Sequence, residues 1–283
     1  RGALLLASER AILSIMTNST YDHIYFSPHL DDVVLSCGGG LYTQVQSGQR
    51  VLVVSFFADS PTNDAFNAYT LELKERWGGA QDAVAVRRSE DLAALKLLGA
   101  DALHMPFLDC VYRQNADTGE VYYPTVEHIF GDVHPEESEL HRELLAALVE
   151  RVGGLSAATL YAPLTVGHHV DHILVQRMAF ALAKQGCRVR FYEDFPYAGD
   201  TKAIRAAMDT LPDVCWRHEI TYFDEQALAV KGQGVACYTS QISTFWANLD
   251  EMHAALRAQA LLVGGERYGE RYWQFPQGCA PTV

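Results

Sequence analysis

The sequence lacks any run of basic residues. Its 283 residues contain 22 Lys and Arg against 35 Asp and Glu, which gives a formal net charge of -13 at pH 7. Binding to nucleic-acid phosphates requires clustered Lys and Arg. We therefore expect no nucleic-acid partner.

Long apolar runs are also missing. Although 49% of the residues are hydrophobic, no stretch approaches the ~18 uninterrupted apolar residues that suggest a membrane span. Glu9 and Arg10 interrupt the apolar residues at 1–16, and no basic region followed by a small-residue cleavage site is visible. We expect no transmembrane segment, and an amphipathic helix rather than a signal peptide at 1–16.

The six cysteines form no CxxC pair and follow no repeating spacing; they stand at positions 37, 110, 187, 215, 237 and 279. Such scatter fits neither a disulfide framework nor a thiolate zinc site. It predicts buried free thiols and a cytoplasmic location. Low-complexity linkers and internal repeats are absent, so we expect one domain over residues 1–283. A homo-oligomer is compatible with this sequence.

What the sequence does contain is a repeated strand-then-helix pattern. Short apolar runs predict strands at 23–27, 50–58, 102–107, 159–164, 188–192 and 215–222. Helical patterns occupy 33–47, 80–98, 136–152, 170–185, 224–247 and 250–262. The alternation indicates an α/β, Rossmann-like fold with a mostly parallel sheet and helices on both faces. Glycines 38–40 predict close packing of the first helix on the sheet, and 109–135 reads as a surface insertion.

Two polar clusters follow predicted strands in this pattern. "SPHLDD" places His29, Asp31 and Asp32 after the first strand, and "HHVDH" places His169 and His172 after strand 159–164. One Asp would be explained as a helix cap. An acidic pair could also bind magnesium without any histidine. Imidazole nitrogens and carboxylate oxygens are ordinary zinc ligands, and three of them leave a position open for water. This favours a catalytic metal site of His29, Asp32 and His172.

These motifs, together with "LSCGGG" and "VRRSEDLAALKLLGA", resemble the PIG-L/LmbE family of zinc-dependent de-N-acetylases. The signatures of that family are an "(A/S)HPDD" loop and an "HxDH" loop, and the resemblance extends over roughly residues 22–245. It implies zinc ligands, a general base, an oxyanion-stabilising histidine and a carboxylate that holds the ring of that histidine. In this sequence the zinc ligands would be His29, Asp32 and His172, and the general base would be Asp31. His169, expected to be protonated, would stabilise the oxyanion, and Asp171 would hold its ring.

Residues outside the two motifs also have predicted roles. The family has a substrate-contacting arginine in an "RxxE" pattern, which corresponds to Arg87; the alternative is a solvent-facing Arg paired with Glu90 or Asp91. Leu30 replaces the usual proline and implies a less rigid ligand loop. The carboxylates that end strand 188–192 are expected either to line the pocket or to cap a turn. Aromatic residues that could contact a sugar, or belong to the core, are Tyr112, Tyr122 and Tyr123.

The resulting hypothesis is a zinc-dependent hydrolase that removes an N-acetyl group from an N-acetylglucosamine-like glycoconjugate, a small-molecule N-acetylated sugar. Two alternatives remain open at this point. One is a non-catalytic module that binds metal and sugar. The other is a magnesium-dependent phosphohydrolase, for which magnesium without zinc in the purified protein would be diagnostic.

Overall fold

The structure is a computed structural model that describes residues 20–61, 68–77, 79, 82–211 and 214–276. The helix predicted at 1–16 and Cys279 lie outside these residues. The strands of the described part are β1 (His23–Ser27), β2 (Val51–Ser55), β3 (Asp101–His104), β4 (Thr159–Pro163), β5 (Arg188–Tyr192), β6 (Arg217–Phe223) and β7 (Tyr268–Gln274).

The helices lie between the strands in chain order. They are α1 (Asp32–Gln46), α2 (Ala68–Arg76), α3 (Ala83–Leu98), α4 (Val126–Ile129), α5 (Leu140–Arg151), α6 (Val170–Lys184), α7 (Thr201–Asp209), α8 (Glu225–Ala236), α9 (Thr239–Phe245) and α10 (Leu249–Gly264). Within the described ranges, none of them has both the length and the apolar character needed to cross a bilayer.

The strands form one sheet in the order β3-β2-β1-β4-β5-β7-β6. The pairings from β3 to β5 are parallel, whereas β7 runs antiparallel to both of its neighbours. The predicted mostly parallel α/β sheet is therefore confirmed. β7 itself is not predicted, because "YGERYWQ" places charged residues at positions that an apolar strand would fill.

Helices cover both faces of this sheet, as predicted. Ile24 and Phe26 of β1 point into a core cluster shared with α5 and α6, which includes Leu174. Tyr25 points to the opposite side and packs in a second cluster with α1, α3 and α8, which includes Leu41. Because β1 is buried on both faces, its sequence is continuously apolar rather than alternating.

The glycines of α1 let this helix lie directly on the sheet. A Cβ on Gly39 would stand 2.7 Å from the ring of Phe223. The amides of Gly39 and Gly40 donate to the carboxylate of Glu270 at 3.0 and 2.8 Å. Lys231 also donates to Glu270, at 2.8 Å. The close packing on the sheet predicted for glycines 38–40 is confirmed for Gly39 and Gly40, whereas Gly38 faces Lys231 of α8 and Leu98 of α3.

Two details differ from the sequence-based expectations. The predicted helix over 224–247 is two helices, because the chain turns at Tyr238, whose hydroxyl donates to Asp91 of α3 at 2.7 Å. The five cysteines in the described residues are free, but the prediction that they are buried is wrong for Cys215, which is exposed, and Cys237, which is only partly buried.

Candidate active site

The predicted site residues meet at the carboxyl ends of β1 and β4. The loop after β1 carries His29 and Asp31 into the start of α1, and the loop after β4 carries His169 into the start of α6. β1 and β4 are neighbours and parallel, so their ends open onto the same edge of the sheet. Ligands bind at this edge in open parallel sheets.

The three predicted metal ligands converge on one carboxylate oxygen. Oδ2 of Asp32 lies 3.4 Å from Nδ1 of His29 and 3.3 Å from Nε2 of His172. The two imidazole rings are 5.4 Å apart between centroids. Asp32 is the first residue of α1, where the helix N-terminus stabilises its charge.

Each of these histidines has its second ring nitrogen occupied by a buried carboxylate. Nε2 of His29 lies 3.0 Å from Oδ2 of Asp171, and Nδ1 of His172 lies 2.7 Å from Oδ1 of Asp194. A carboxylate in this position fixes the tautomer of a metal-binding histidine and orients its ring. It leaves Nδ1 of His29 and Nε2 of His172 directed at Asp32. Asp194 thus neither caps a turn nor simply lines the pocket.

The surroundings favour positive charge at this point. Burial acts to lower the pKa of His29, yet the neighbouring carboxylates, Asp109 foremost, hold it well above its ordinary value. Burial likewise opposes the shift of His172, but Asp32 and Asp194 raise its pKa to about 9. A divalent cation would satisfy the same surplus of negative charge. Two imidazoles and one carboxylate are a donor set that suits zinc, so the residues fit the ion.

Other donor groups overlap with this one. In the described part of the chain, three sets of possible ligand atoms lie within 4.8 Å of one another: His29, His169 and His172; Cys110, His169 and Asp171; and His29, Asp109 and Asp171. The first and third sets share histidines with the predicted ligands, the second consists of neighbouring residues, and none of the three includes Asp32. The protein therefore has a single polar centre at this edge with several donors around it.

Asp31 is held apart from the histidine pair. It occupies the N-cap position of α1, but its side chain makes no capping hydrogen bond, so the helix-cap explanation is wrong for this residue. Its Oδ1 lies 3.4 Å from a guanidinium nitrogen of Arg87 instead. Burial raises the pKa of Asp31, and Arg87 opposes that shift.

Arg87 faces the site and not the solvent. Its guanidinium lies between Asp31 and Asp109, 3.8 Å from Oδ2 of the latter, and 4.8 Å above the ring of Trp77. Glu90 accepts hydrogen bonds from α9 instead. The alternative of a solvent-facing Arg87 paired along its helix is therefore wrong.

His169 differs from the expectation in its protonation. The backbone amide of Asp171 donates to Nδ1 of His169 at 3.2 Å, which places the ring proton of the neutral form on Nε2. Burial and the nearby His29 hold the pKa of His169 well below its ordinary value. The carboxylate of Asp171 contacts His29 and Arg113 rather than the His169 ring. His169 is therefore a neutral hydrogen-bond donor. Asp171 orients the His169 ring through its backbone amide and not, as expected, through its carboxylate.

Three residues of this centre are not predicted from the sequence. Asp109 stands 3.7 Å from His29, just after the run predicted as strand 102–107, and a carboxylate in that position is the one available signal. Arg113 and Glu137 form a pair with bonds of 2.6 and 2.9 Å. Arg113 also lies 2.7 Å from Asp171. No local motif marks this pair, because the insertion brings it to the site through tertiary contacts.

A cleft of about 210 Å³ opens over the histidines and aspartates of the site. Its aromatic lining consists of Tyr69, Trp77, Phe130, Phe195, Tyr197 and Phe245. The expected sugar contacts lie elsewhere: Tyr123 is buried and donates to Glu137, Tyr122 stacks on His134, and Tyr112 packs beside Leu30. Leu30 is 2% exposed, so burial anchors the loop where the family has proline.

Comparison with known proteins identifies the family of this chain. The sequence model of the family described as GlcNAc-PI de-N-acetylase, PIG-L, matches residues 24–183, more than half of the chain. The chain belongs to the PIG-L family.

Individual relatives of this PIG-L member are deacetylases. A 2'-N-acetylparomamine deacetylase of Streptomyces fradiae is 32% identical over 180 residues, which are 63% of this chain and 58% of the relative. Its counterpart from Niallia circulans is 27% identical over 186 residues, 62% of this chain and 66% of the relative. The match therefore spans less than two thirds of either relative.

A solved structure extends the similarity over most of the chain. The crystal structure of the zinc-inhibited form of a teicoplanin deacetylase has a TM-score of 0.72 and 28% sequence identity to this chain. It covers 89% of this chain and 96% of that one. The similarity thus extends over more of the chain than residues 24–183, which the family model matches.

Proposed function

We propose that this chain is a metal-dependent hydrolase that removes the acetyl group from the nitrogen of an N-acetylated amino sugar, with zinc as its ion. One observation carries the proposal. His29 and His172 each direct one ring nitrogen at Asp32, and Asp31 lies beside these three residues, bonded to Arg87 and not to them. The deacetylases named among the relatives and the solved structures support it.

The ion would be held by Nδ1 of His29, Oδ2 of Asp32 and Nε2 of His172. When bound, zinc acts as a Lewis acid that polarises an amide carbonyl and makes water more acidic. Asp171 and Asp194 keep the two rings in the orientation that this requires.

Asp31 is the general base in this proposal. Its carboxylate is 5% exposed and lines the cleft. Burial alone would favour the protonated acid, but the guanidinium of Arg87 stabilises the carboxylate. Asp31 can therefore accept a proton from the attacking water and return it to the departing amine.

His169 and Arg87 complete the reaction site. The Nε2–H of His169 is available to donate to the oxygen of the attacked carbonyl, on which negative charge develops. Arg87 holds Asp31 in place and reaches the same cleft, where it would contact the substrate.

The two alternative functions fit the geometry less well. A module that only binds metal and sugar requires neither a buried carboxylate beside the metal ligands nor a histidine fixed as a hydrogen-bond donor. Magnesium prefers oxygen ligands in an octahedral arrangement, whereas two imidazole nitrogens face Asp32 here.

The test is Asp31→Asn in zinc-loaded protein, compared with Asp250→Asn, an exposed aspartate at the start of α10. We expect Asp31→Asn to bind zinc in the wild-type ratio while acetate release falls by roughly 10²–10⁴-fold, the usual contribution of a positioned base. Asp250→Asn should retain the wild-type rate. Undiminished acetate release by Asp31→Asn would refute the role of the base. Zinc binding without any acetate release by the wild type would favour the binding module.

A further inference from the structure

We propose that the cleft beside the metal centre binds an apolar aglycone, so that the amino sugar acted on carries an aromatic or aliphatic group and not further amino groups. The inference rests on the proposed function, because that function places the N-acetyl group at His29, Asp32 and His172. It assigns the remainder of the substrate to the walls of the cleft.

Apolar side chains from separate parts of the chain form these walls. α2 and the residue that follows it contribute Leu73 and Trp77; α4 and its end contribute Val126, Ile129 and Phe130; and Tyr197 and Phe245 close the other side. Val126 and Tyr197 remain 46% and 38% exposed. Exposed apolar residues that are grouped at a cleft are typical of ligand contact.

The apolar surface reaches the reacting group itself. The ring of Phe130 lies edge-on to His169 at 5.3 Å between centroids and edge-on to Tyr197 at 5.9 Å. A substituent on the sugar would therefore contact aromatic faces and edges next to the metal centre, with no polar surface in between.

The charges of the cleft disfavour a polycationic substrate. Among the described lining residues, the carboxylates are those of Asp31, Asp32 and Asp109. Each already has a partner: Asp31 pairs with Arg87, Asp32 with His29 and His172, and Asp109 with His29 and Arg87. The cationic side chains are Arg76 and Arg87. Both are already paired, Arg76 with Glu72 and Arg87 with Asp31 and Asp109. Ammonium groups of an aminoglycoside would therefore lose hydration here without an unpaired carboxylate to replace it.

The experiment compares three N-acetylated probes with zinc-loaded protein: 4-nitrophenyl N-acetyl-β-glucosaminide, free N-acetylglucosamine and 2'-N-acetylparomamine. We expect kcat/KM for the aryl glycoside to exceed that for each of the others by about tenfold or more, the effect of burying one aromatic group. Equal values, or a preference for the paromamine derivative, would overturn the inference and leave the proposed function standing. Failure to deacetylate any probe would overturn both.

A variant pair locates the effect in the cleft. Val126→Asp places a charge on the apolar wall at an exposed position. Leu249→Asp makes a similar change at another position that is 46% exposed, outside the cleft lining. We expect Val126→Asp to raise KM for the aryl glycoside about tenfold without changing kcat/KM for free N-acetylglucosamine, and Leu249→Asp to change neither. Calorimetric binding of the aryl glycoside to Asp31→Asn protein should weaken in parallel when Val126→Asp is added. Unchanged binding would contradict the assignment.

Discussion

The two histidines that face Asp32 are held in different ways. His172 is fixed by Asp194, whose other oxygen accepts the backbone amide of Val166 at 2.8 Å in the loop after β4. His29 is fixed by Asp171, whose carboxylate depends on the insertion: the amide of Cys110 donates to it, and Arg113 lies 2.7 Å away.

The difference extends beyond these first contacts. Arg113 is buried between the rings of Phe57 and Tyr123. Its guanidinium donates two hydrogen bonds to the carboxylate of Glu137. Tyr123 in turn donates to Glu137 at 2.6 Å. The His172 side therefore depends on the backbone of the sheet edge, whereas the His29 side depends on a charged side-chain network in 109–137. The insertion expected on the surface is in part a support for the proposed metal site.

The same substitution on both sides should separate metal binding from folding. Asp171→Asn removes a charge shared by two buried cations, His29 and Arg113, of which Arg113 keeps Glu137. Breaking a buried pair of this kind costs about 3 kcal/mol. We expect the free energy of unfolding of the metal-free protein, measured in urea, to fall by about that amount. Zinc affinity, measured by chelator competition, should also fall about 10- to 100-fold.

Asp194→Asn is the matched change on the other side. Its amide oxygen still accepts from Val166, and the one buried cation that loses a carboxylate, His172, keeps Asp32, so the metal-free protein should lose about 2 kcal/mol of stability, less than Asp171→Asn. Zinc affinity should fall about 10- to 100-fold, as for Asp171→Asn. Equal losses of metal-free stability in the two variants would show that the insertion does not support His29 in the way described.

Tyr123→Phe tests the outer part of the network. The variant keeps the ring but removes a hydroxyl that donates to Glu137 and accepts from the amide of His134 at 2.9 Å. We expect a loss of about 1 kcal/mol in the free energy of unfolding. Zinc affinity should change less than in Asp171→Asn, because Arg113 keeps both bonds to Glu137. Tyr222→Phe, on the exposed strand β6, is the control and should be close to wild type in both measurements.

The sequence predicted the parts of the site that are determined by strand ends. "SPHLDD" and "HHVDH" each follow an apolar run, and parallel neighbouring strands necessarily bring their carboxyl ends together. His29, Asp32 and His172 could be placed in one site for that reason. Asp31 could be separated from Asp32 only through the family resemblance, since both carboxylates stand at the same helix start.

The supporting residues could not be predicted, because their partners are distant in sequence. Arg113 contacts Asp171 and Glu137 through a tertiary arrangement that no spacing rule describes. β7 was missed for a similar reason: Glu270 looks like a surface residue, but in the fold it satisfies Lys231 and two glycine amides. The cleft aromatics come from α2, α4, α9 and the turn after β5, so no single segment indicates them.

A histidine outside the metal site provides a smaller, independent pH effect. Burial lowers the pKa of His23, at the start of β1, below its ordinary value. The unfolded chain therefore binds this proton more readily, and the stability that is present above the ordinary pKa is lost as the pH falls. We expect His23→Gln to lose less unfolding free energy than the wild type between pH 7.5 and 5.5 in urea titrations of metal-free protein. An identical pH dependence would argue against this contribution.

We propose that His29, Asp32 and His172 form the metal site, with one specified atom from each. Anomalous diffraction at the zinc edge from crystals of the zinc-loaded protein tests it most directly. We expect one ion in contact with Nδ1 of His29, Oδ2 of Asp32 and Nε2 of His172, with Asp171 and Asp194 still bonded to the two rings. An ion held instead by Cys110, His169 and Asp171, or by Nε2 of His29 with Asp171 displaced, would contradict it.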